Sequence, residues 1–387
     1  MPNILNLQSL LGLAVIIGAC WVVSENRRAF PWKLAIGAVL VQAALVLLVF
    51  GVPGSAVVLN AITGAVDGLA TATRRGTQFI FGYLAGGDQP YVVENQPALF
   101  VFAFEVLPLI LVISALSALL WHWKILKWIT RGFGLLFQRT MGLGGASALA
   151  VAANIFLGMI ESPIVIRAYL DKLTRSEVAS IVSAPAGILL ARIIIPETPG
   201  EGGAHADYDS DLTYDSAIDA IVKGTADGLM VVLNISAVLI VFVALVALVN
   251  VMLGGFWLFD GPVTVERVLG WLFAPVAWLI GVEWSEAGRA GWLLGVKLTL
   301  TEFVAFIELG DIPAGEMSER TRMLMTYAVC GFANIGSVGI TVTGLSVLMP
   351  ERRQMVLDMV WKALFAGFLA TLMSAAIVGV LPSAVFT

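Results

Sequence analysis

The segments ANIFLGMIESP (residues 153–163) and LTLTEF (residues 298–303) each place one carboxylate, Glu161 or Glu302, in the middle of apolar sequence. A charged side chain at bilayer depth costs at least about 2.5 kcal/mol, and more when it has no partner. A Leu side chain would suit the same apolar surroundings without that cost. The two glutamates therefore predict a polar ligand site at membrane depth.

The composition is that of a membrane protein. Hydrophobic residues make up 59% of the 387 residues and charged residues 13%, whereas about 25% of residues in soluble domains are charged. Several apolar runs reach the roughly 20 residues that a helix needs to cross the hydrocarbon core. The sequence therefore predicts an all-α polytopic membrane protein. The apolar runs are residues 4–23, 34–52, 99–121, 229–253, 321–348 and 356–381.

The distribution of Lys and Arg predicts the orientation. Basic residues follow the first and third apolar runs and lie between the last two, for example Arg27, Lys124 and Arg352. By the positive-inside rule these loops are cytoplasmic, which places the N-terminus outside. The connection 53–98 is then external, and we expect its apolar stretches to form short helices at the outer surface. The acidic segment 196–228 is expected to be a solvated linker.

The parts of the chain on either side of this linker resemble each other. An amphipathic helix predicted at 123–142 precedes the Glu161 segment, and another at 264–281 precedes the Glu302 segment. Internal repeats of this kind build many secondary transporters, whose sites lie at the repeat interface near the midplane. The predicted organisation is N-terminal spans with an outer connection at 1–121, a first repeat at 122–195, the linker at 196–228, a long scaffold span at 229–263 and a second repeat at 264–387.

The break around Glu161 has the signals of a re-entrant hairpin. Residues 144–157 would form a helix of about 21 Å, which is too short to cross the membrane. Ser162 suits a helix N-cap, and Pro163 suits the first helical position after it. We therefore predict a re-entrant tip at 158–162, with a plain kinked helix as the alternative.

The second repeat has two interruptions. Near Glu302, Thr301 is suited to cap a second half-helix. Further on, CGFANIGSVGI at 330–340 breaks an apolar run. Helix packing would explain the glycines alone, but Asn334 and Ser337 are three residues apart and so share one helix face. The sequence predicts a second hairpin tip near residue 302 and a broken, ligand-lining helix at 330–340.

These segments match a known family. NIFLGMIESP, LTEFVAF and CGFANIGS, in this order and spacing, resemble the concentrative nucleoside transporters, as do LGWLFAP at 269–275 and PERR at 350–353. The resemblance implies an inverted-repeat transporter with two re-entrant hairpins and a broken helix. It implies a homotrimer of sodium- or proton-coupled nucleoside symporters in the lipid bilayer of the bacterial inner membrane. In each protomer, a transport part would move like an elevator against a scaffold part.

The resemblance also implies how the sugar is bound. Glu302, Asn334 and Ser337 would hold the ribose hydroxyls, and Phe332 would be a further ligand from the broken helix. The chemistry agrees, because a carboxylate can accept hydrogen bonds from both vicinal hydroxyls and an amide adds a donor and an acceptor. An anionic substrate would instead require Arg or Lys, and neither predicted tip carries one.

The first tip would meet the base and the coupling ion. The resemblance makes Glu161 a substrate ligand together with Met159 and Ile160, which stand where many family members have Gln-Thr. Base recognition here is then expected to rely on apolar contact, water or backbone. Asn154 matches a sodium ligand of the family, with the carbonyl of Leu157 beside it.

The first repeat is predicted to be shortened. Segment 178–195 stands where the family has two spans, so the chain lacks about one helix pair's worth of sequence after Val182. With a single span there, the loop at 351–353 would face outside, against the positive-inside rule. The missing piece would carry the remaining sodium ligands, which leaves the sodium site incomplete and Glu161 as a proton carrier. The coupling ion is therefore sodium or a proton.

The remaining side chains give little support to other classes of protein. With two His and two Cys the chain has no metal-ligand spacing, no Ser-His-Asp set and no basic, aromatic patch for nucleic acid. We predict no catalytic residue and no nucleic-acid partner. Two alternatives to transport stay open. One is a transport-impaired nucleoside-binding remnant. The other is an intramembrane hydrolase that uses the glutamates as an acid–base pair, although it lacks a nucleophile.

Overall fold

The computed structural model describes residues 4–51, 55–92, 94, 99–141, 145–153, 170, 173–197, 213–258, 261–331 and 333–381. Apart from one two-stranded antiparallel ribbon, β1 (Trp257–Leu258) and β2 (Gly261–Pro262), and short 3-10 turns, the regular structure of these residues is α-helical. The helices are α1 (Ile4–Val23), α2 (Trp32–Gly51), α3 (Ser55–Phe81), α4 (Phe102–Glu105), α5 (Pro108–His122), α6 (Ile125–Met141), α7 (Gly145–Ala153), α8 (Arg175–Val182), α9 (Ala184–Ile194), α10 (Ala217–Leu253), α11 (Val265–Leu279), α12 (Trp284–Thr299), α13 (Glu302–Asp311), α14 (Glu319–Val329), α15 (Ile335–Leu348) and α16 (Arg353–Val380).

Four helical segments among the described residues are long and apolar enough to cross a membrane. They are Leu5–Val23, Phe102–His122, Ala217–Leu253 and Pro350–Val380. These segments and the mainly helical structure confirm the predicted fold class of an all-α polytopic membrane protein. The predicted run at 321–348 is divided between α14 and α15, as the predicted interruption requires.

The chain folds into two compact units. The first comprises residues 1–47, 130–211 and 239–387, and the second comprises residues 48–129 and 212–238. In the first unit α16 is the central helix, because α1, α8, α9, α14 and α15 all pack against it. Most of its apolar stretch is buried, with small side chains such as Ala366, Ala370 and Ala376 at the contacts. The core of this unit therefore lies around α16.

Glycines let the helices that support the second hairpin approach closely. α11 and α12 form a tight pair, and a Cβ at Gly291 of α12 would overlap the carbonyl oxygen of Gly270 in α11. A Cβ at Gly12 of α1 would likewise overlap the carbonyl oxygen of Leu279 at the end of α11. Since these contacts join backbone to backbone, α1, α11 and α12 have fixed separations.

In the second unit, α10 packs against α5. Ser114 and Ala118 of α5 lie within 3 Å of where Cβ atoms at Gly228 and Gly224 of α10 would stand, so both positions need glycine. α10 begins at Ala217, so residues 217–228 are helical where the sequence analysis predicts a linker. The reason is local, because the Ser216 hydroxyl accepts a hydrogen bond from the Asp219 N–H at 3.1 Å and caps the helix.

The prediction for the connection 53–98 is wrong. Instead of several short helices, the described residues 55–81 form one continuous helix of 27 residues, α3. No proline lies between Pro53 and Pro90, so nothing interrupts the backbone hydrogen-bond ladder. Thr73 and Thr77 of α3 are buried, and α3 contacts α4 and α5.

Each of the two predicted repeats has a capped helix that follows its glutamate, Glu161 or Glu302, in sequence. In the first, the Thr174 hydroxyl accepts from the Glu177 N–H at 3.1 Å and α8 begins. In the second, the Ser318 hydroxyl accepts from the Thr321 N–H at 3.2 Å and α14 begins. The amphipathic helices predicted at 123–142 and 264–281 are present as α6 and α11.

The segment 178–195 does not form a single helix. α8 ends at Val182 and α9 begins at Ala184, with Ser183 between them. All the described apolar side chains of α9 are buried, as are most side chains of α8. The helix end at Val182 coincides with the position after which the sequence analysis predicts missing sequence.

Candidate functional site

The tip of the second hairpin follows the sequence prediction. α12 ends at Thr299, and Thr301 caps α13 by accepting a hydrogen bond from the Val304 N–H at 3.3 Å. With 16 and 10 residues, the two helices are about 24 and 15 Å long, each shorter than the roughly 30 Å hydrocarbon core. Glu302 is the first residue of α13 and so lies directly at the turn.

The broken helix opens next to this tip. α14 ends at Val329 and α15 begins at Ile335. Gly331 has φ +150°, and a Cβ there would stand 2.6 Å from the Cγ2 methyl of Thr371 on α16. This position therefore needs glycine for both conformation and space.

Asn334 and Ser337 form a reciprocal cap at the start of α15. The Asn334 side-chain oxygen accepts from the Ser337 N–H at 2.8 Å, and the Ser337 hydroxyl accepts from the Asn334 N–H at 3.3 Å. Both residues are buried. The three-residue spacing noted in the sequence is thus a capping box, which fixes both side chains at the break.

The hairpin tip and the broken helix are joined by a direct hydrogen bond. The Asn334 amide donates from Nδ2 to Oε2 of Glu302 at 2.9 Å. Three of the predicted sugar ligands, Glu302, Asn334 and Ser337, therefore lie together, although they come from two different elements. A hydrogen bond to a charged carboxylate is stronger than a neutral one, so this contact orients the carboxylate.

The other predicted site residues lie outside the described residues. They are Glu161, Met159 and Ile160 of the first tip, Phe332 of the broken helix, and the predicted sodium ligands Asn154 and Leu157. The first re-entrant tip at 158–162 lies outside them too. Among the residues that the structure does describe, no group of three or more His, Cys, Asp or Glu side chains is placed to hold a metal ion.

The sequence analysis missed one charged residue at this site. Lys297 of α12 lies five residues before Glu302, and its side chain is completely buried. Its ammonium group donates to the carbonyl oxygen of Ala328 at 2.8 Å and to the Thr371 hydroxyl at 2.6 Å. The signal was available, because a lysine inside apolar sequence at membrane depth is by default a functional residue.

The arrangement suits a neutral, hydroxyl-rich ligand. It combines a carboxylate that accepts hydrogen bonds, an amide that donates and accepts, and a hydroxyl, all next to a break in a helix. Lys297 and Glu302, whose ionised forms have opposite charges, lie on the same hairpin five residues apart in sequence.

Comparisons with known proteins identify the family. The family model described as "Na+ dependent nucleoside transporter C-terminus" matches residues 178–379, which is more than half of the chain. The chain belongs to the concentrative nucleoside transporter family. Two further models, "Na+ dependent nucleoside transporter N-terminus" and "Nucleoside recognition", match residues 11–84 and 103–198.

Relatives of this family match along nearly the whole chain. The uncharacterized transporter YutK of Bacillus subtilis is 37% identical over 409 positions, with 96% of this chain and 98% of the relative covered. The nucleoside permease NupC of Helicobacter pylori is 33% identical over 414 positions, with 97% of each covered. A solved structure of CNTnw in an inward-facing substrate-bound state is 34% identical, covers 97% of this chain and 98% of that one, and has a TM-score of 0.88. These relatives are transporters, not enzymes.

The lengths of these alignments bear on the shortened repeat. Both alignments are longer than the 387 residues of this chain, so the relatives carry residues that it lacks. This agrees with missing sequence somewhere in the chain. Its location after Val182 stays a prediction.

Proposed function

We propose that this protein is a cation-coupled symporter that carries nucleosides into the cell, and that Glu302, Asn334 and Ser337 bind the ribose. The observation that carries the proposal is the 2.9 Å hydrogen bond from the Asn334 amide to the Glu302 carboxylate at the break between α14 and α15. Vicinal ribose hydroxyls would donate to this carboxylate and accept from the amide. A hydrogen-bonding site of this kind strongly rejects analogues that lack a hydroxyl.

We assign the base and the coupling ion to the first hairpin, and a packing contact with the nucleoside to the broken helix. Glu161, Met159 and Ile160 would face the base, and Phe332 would pack against the nucleoside. Asn154 and the Leu157 carbonyl would be part of a sodium site. The family's description as Na+ dependent supports sodium as the coupling ion, while the shortened first repeat favours a proton.

Transport would proceed by alternating access of the elevator type. Solved structures of CNTnw variants in outward-facing and intermediate states resemble this chain as closely as the inward-facing one does, with TM-scores of 0.89 and 0.86. This supports a transport part that passes through the same series of states. We further propose a homotrimer in the bacterial inner membrane with the N-terminus outside.

A second candidate is a nucleoside-binding remnant that does not accumulate its ligand. It is favoured by the residues that the relatives have and this chain lacks. In this candidate the sugar site at Glu302 is intact, while the ion site needed for coupling is not. Binding without accumulation would identify it.

Uptake of labelled uridine and adenosine into proteoliposomes tests the proposal. A symporter accumulates nucleoside above the external concentration when an inward sodium or proton gradient is imposed, and not when both gradients are absent. Replacing sodium by choline at fixed pH separates the two ions. Binding by calorimetry without gradient-driven uptake would instead support the remnant, and absence of both binding and uptake would contradict the proposed function.

A further inference from the structure

The buried lysine of α12 makes contacts with two other helices of the first unit, α14 and α16. Besides Ala328 at the end of α14, its ammonium group contacts Thr371 of α16 and lies 5.2 Å from the centre of the Phe368 ring. An ammonium group has donors only, so Thr371 accepts from Lys297 and donates its own hydrogen to the carbonyl of Phe368 at 2.9 Å. The lysine is thus held in one position.

The position of this charge matches the end of α14. Ala328 lies in the last turn of the helix, where carbonyl oxygens have no partner inside the helix. A cation there satisfies such a carbonyl and interacts favourably with the negative end of the helix dipole. Lys297 therefore stabilises the break from the side of α14.

Glu302 contacts the other side of the same break. It accepts the hydrogen bond from Asn334, the N-cap of α15, where the helix dipole favours negative charge. One hairpin therefore brings a cation to the end of α14 and an anion to the start of α15. The two side chains lie five residues apart in sequence on this hairpin, and opposite charges attract each other more strongly where the dielectric constant is low.

We infer that Lys297 is the counter-ion of Glu302 and a positioning residue of the nucleoside site, which it does not itself touch. By holding α12 to the end of α14, it keeps the Glu302 carboxylate in reach of Asn334 across the break. The inference rests on the proposed function for its binding part, whereas its charge-balance part concerns the protein without ligand. It predicts that the effect of removing Lys297 depends on whether Glu302 carries a charge.

The charge-balance part is tested by thermal unfolding of the purified protein in detergent. Lys297→Met should lower the apparent Tm strongly, because it leaves the Glu302 carboxylate without its cation. Lys297→Met combined with Glu302→Gln should lie at a higher Tm than Lys297→Met alone. Lys223→Met, a matched change at an exposed lysine, should leave the Tm nearly unchanged.

A double variant that is no more stable than Lys297→Met alone would overturn the inference, since the lysine would then act only by packing and by its bond to Ala328. If Lys297→Met does not yield folded protein, recovery of folded protein in the double variant supports the inference. Equal failure of both variants contradicts it.

The positioning part is tested by calorimetric titration with uridine. We expect Lys297→Met to weaken binding about tenfold or more, and the double variant to bind within about threefold of Glu302→Gln alone, because the two residues act as one unit. If the losses of affinity in the two single variants instead multiply in the double variant, the positioning role is contradicted. If the unaltered protein binds no nucleoside, the proposed function fails, and the unfolding experiment still decides the charge-balance part.

Discussion

Replacing the Glu302 carboxylate by an amide isolates its charge from its shape. In the unaltered protein the Asn334 amide donates a hydrogen bond of 2.9 Å to Oε2 of Glu302. Glu302→Gln keeps the length of the side chain and an oxygen that can accept this hydrogen bond. What is lost is the charge that, in the proposed site, would strengthen hydrogen bonds from the ribose hydroxyls. A hydrogen bond to a charged group contributes about 1.5–3 kcal/mol, so we expect uridine binding to weaken roughly ten- to a hundredfold.

The sugar hydroxyls provide the internal test of this prediction. Calorimetric titrations with uridine, 2′-deoxyuridine and 3′-deoxyuridine should show a smaller loss for the deoxynucleosides, since they already lack one of the hydroxyls that are proposed to donate to Glu302. Glu308→Gln is the matched control, because Glu308 lies on the same helix but lines a surface cleft with Arg289. Equal losses for all three ligands would refute the assignment of Glu302 to the ribose.

Three further outcomes follow from the structure and the sequence. Gly331→Ala should lower the apparent Tm in a thermal unfolding scan, because its Cβ would meet Thr371 Cγ2 at 2.6 Å and φ is +150°. Thr371→Ser, which removes that methyl group, should restore part of the lost Tm, and no rescue would contradict the contact. Met159→Gln with Ile160→Thr should sharpen the discrimination between pyrimidine and purine nucleosides, and an unchanged competition profile across uridine, cytidine, adenosine and inosine would count against the apolar tip. Uptake should depend less on sodium and more on pH than in a full-length family member, and inserting a full span after Val182 should restore sodium dependence. If replacing sodium by choline reduces uptake as much as it does in a full-length family member, the sodium site of this chain is complete and the prediction is wrong.

Local chemistry explains which parts of the site could be predicted. The Thr301 cap next to Glu302 and the break that precedes Asn334 depend on residues a few positions apart. Such signals can be recognised within a short stretch of sequence, because capping needs only a side-chain oxygen and a nearby N–H. The pairing of Glu302 with Asn334, 32 residues away, required the family resemblance in addition.

The features that were missed depend on distant partners or on ambiguous signals. The hydrogen-bond partners of Lys297 are distant in sequence, since Ala328 lies 31 residues away and Thr371 lies 74 residues away. The residues next to Lys297 in sequence therefore do not show what stabilises its charge. The start of α10 cannot be told from a linker by composition, because acidic residues suit both a solvated loop and the first turn of a helix, as Asp219 does here. The sequence does not distinguish the single helix α3 from several short helices, because polar residues and glycines separate its apolar stretches without ending the helix.

On the proposed function, a nucleoside occupies the break between α14 and α15 beside Glu302. The chain has two cysteines, and Cys20 is buried whereas Cys330, at the break itself, is exposed. The rate of maleimide labelling of Cys330 therefore reports on this position in the native protein, with Cys330→Ser as the control for labelling elsewhere.

We predict that uridine slows this labelling with a half-maximal concentration equal to its calorimetric Kd, and that Glu302→Gln shifts both values together. A labelling rate that is unchanged at saturating uridine, in protein that binds uridine by calorimetry, would contradict the claim.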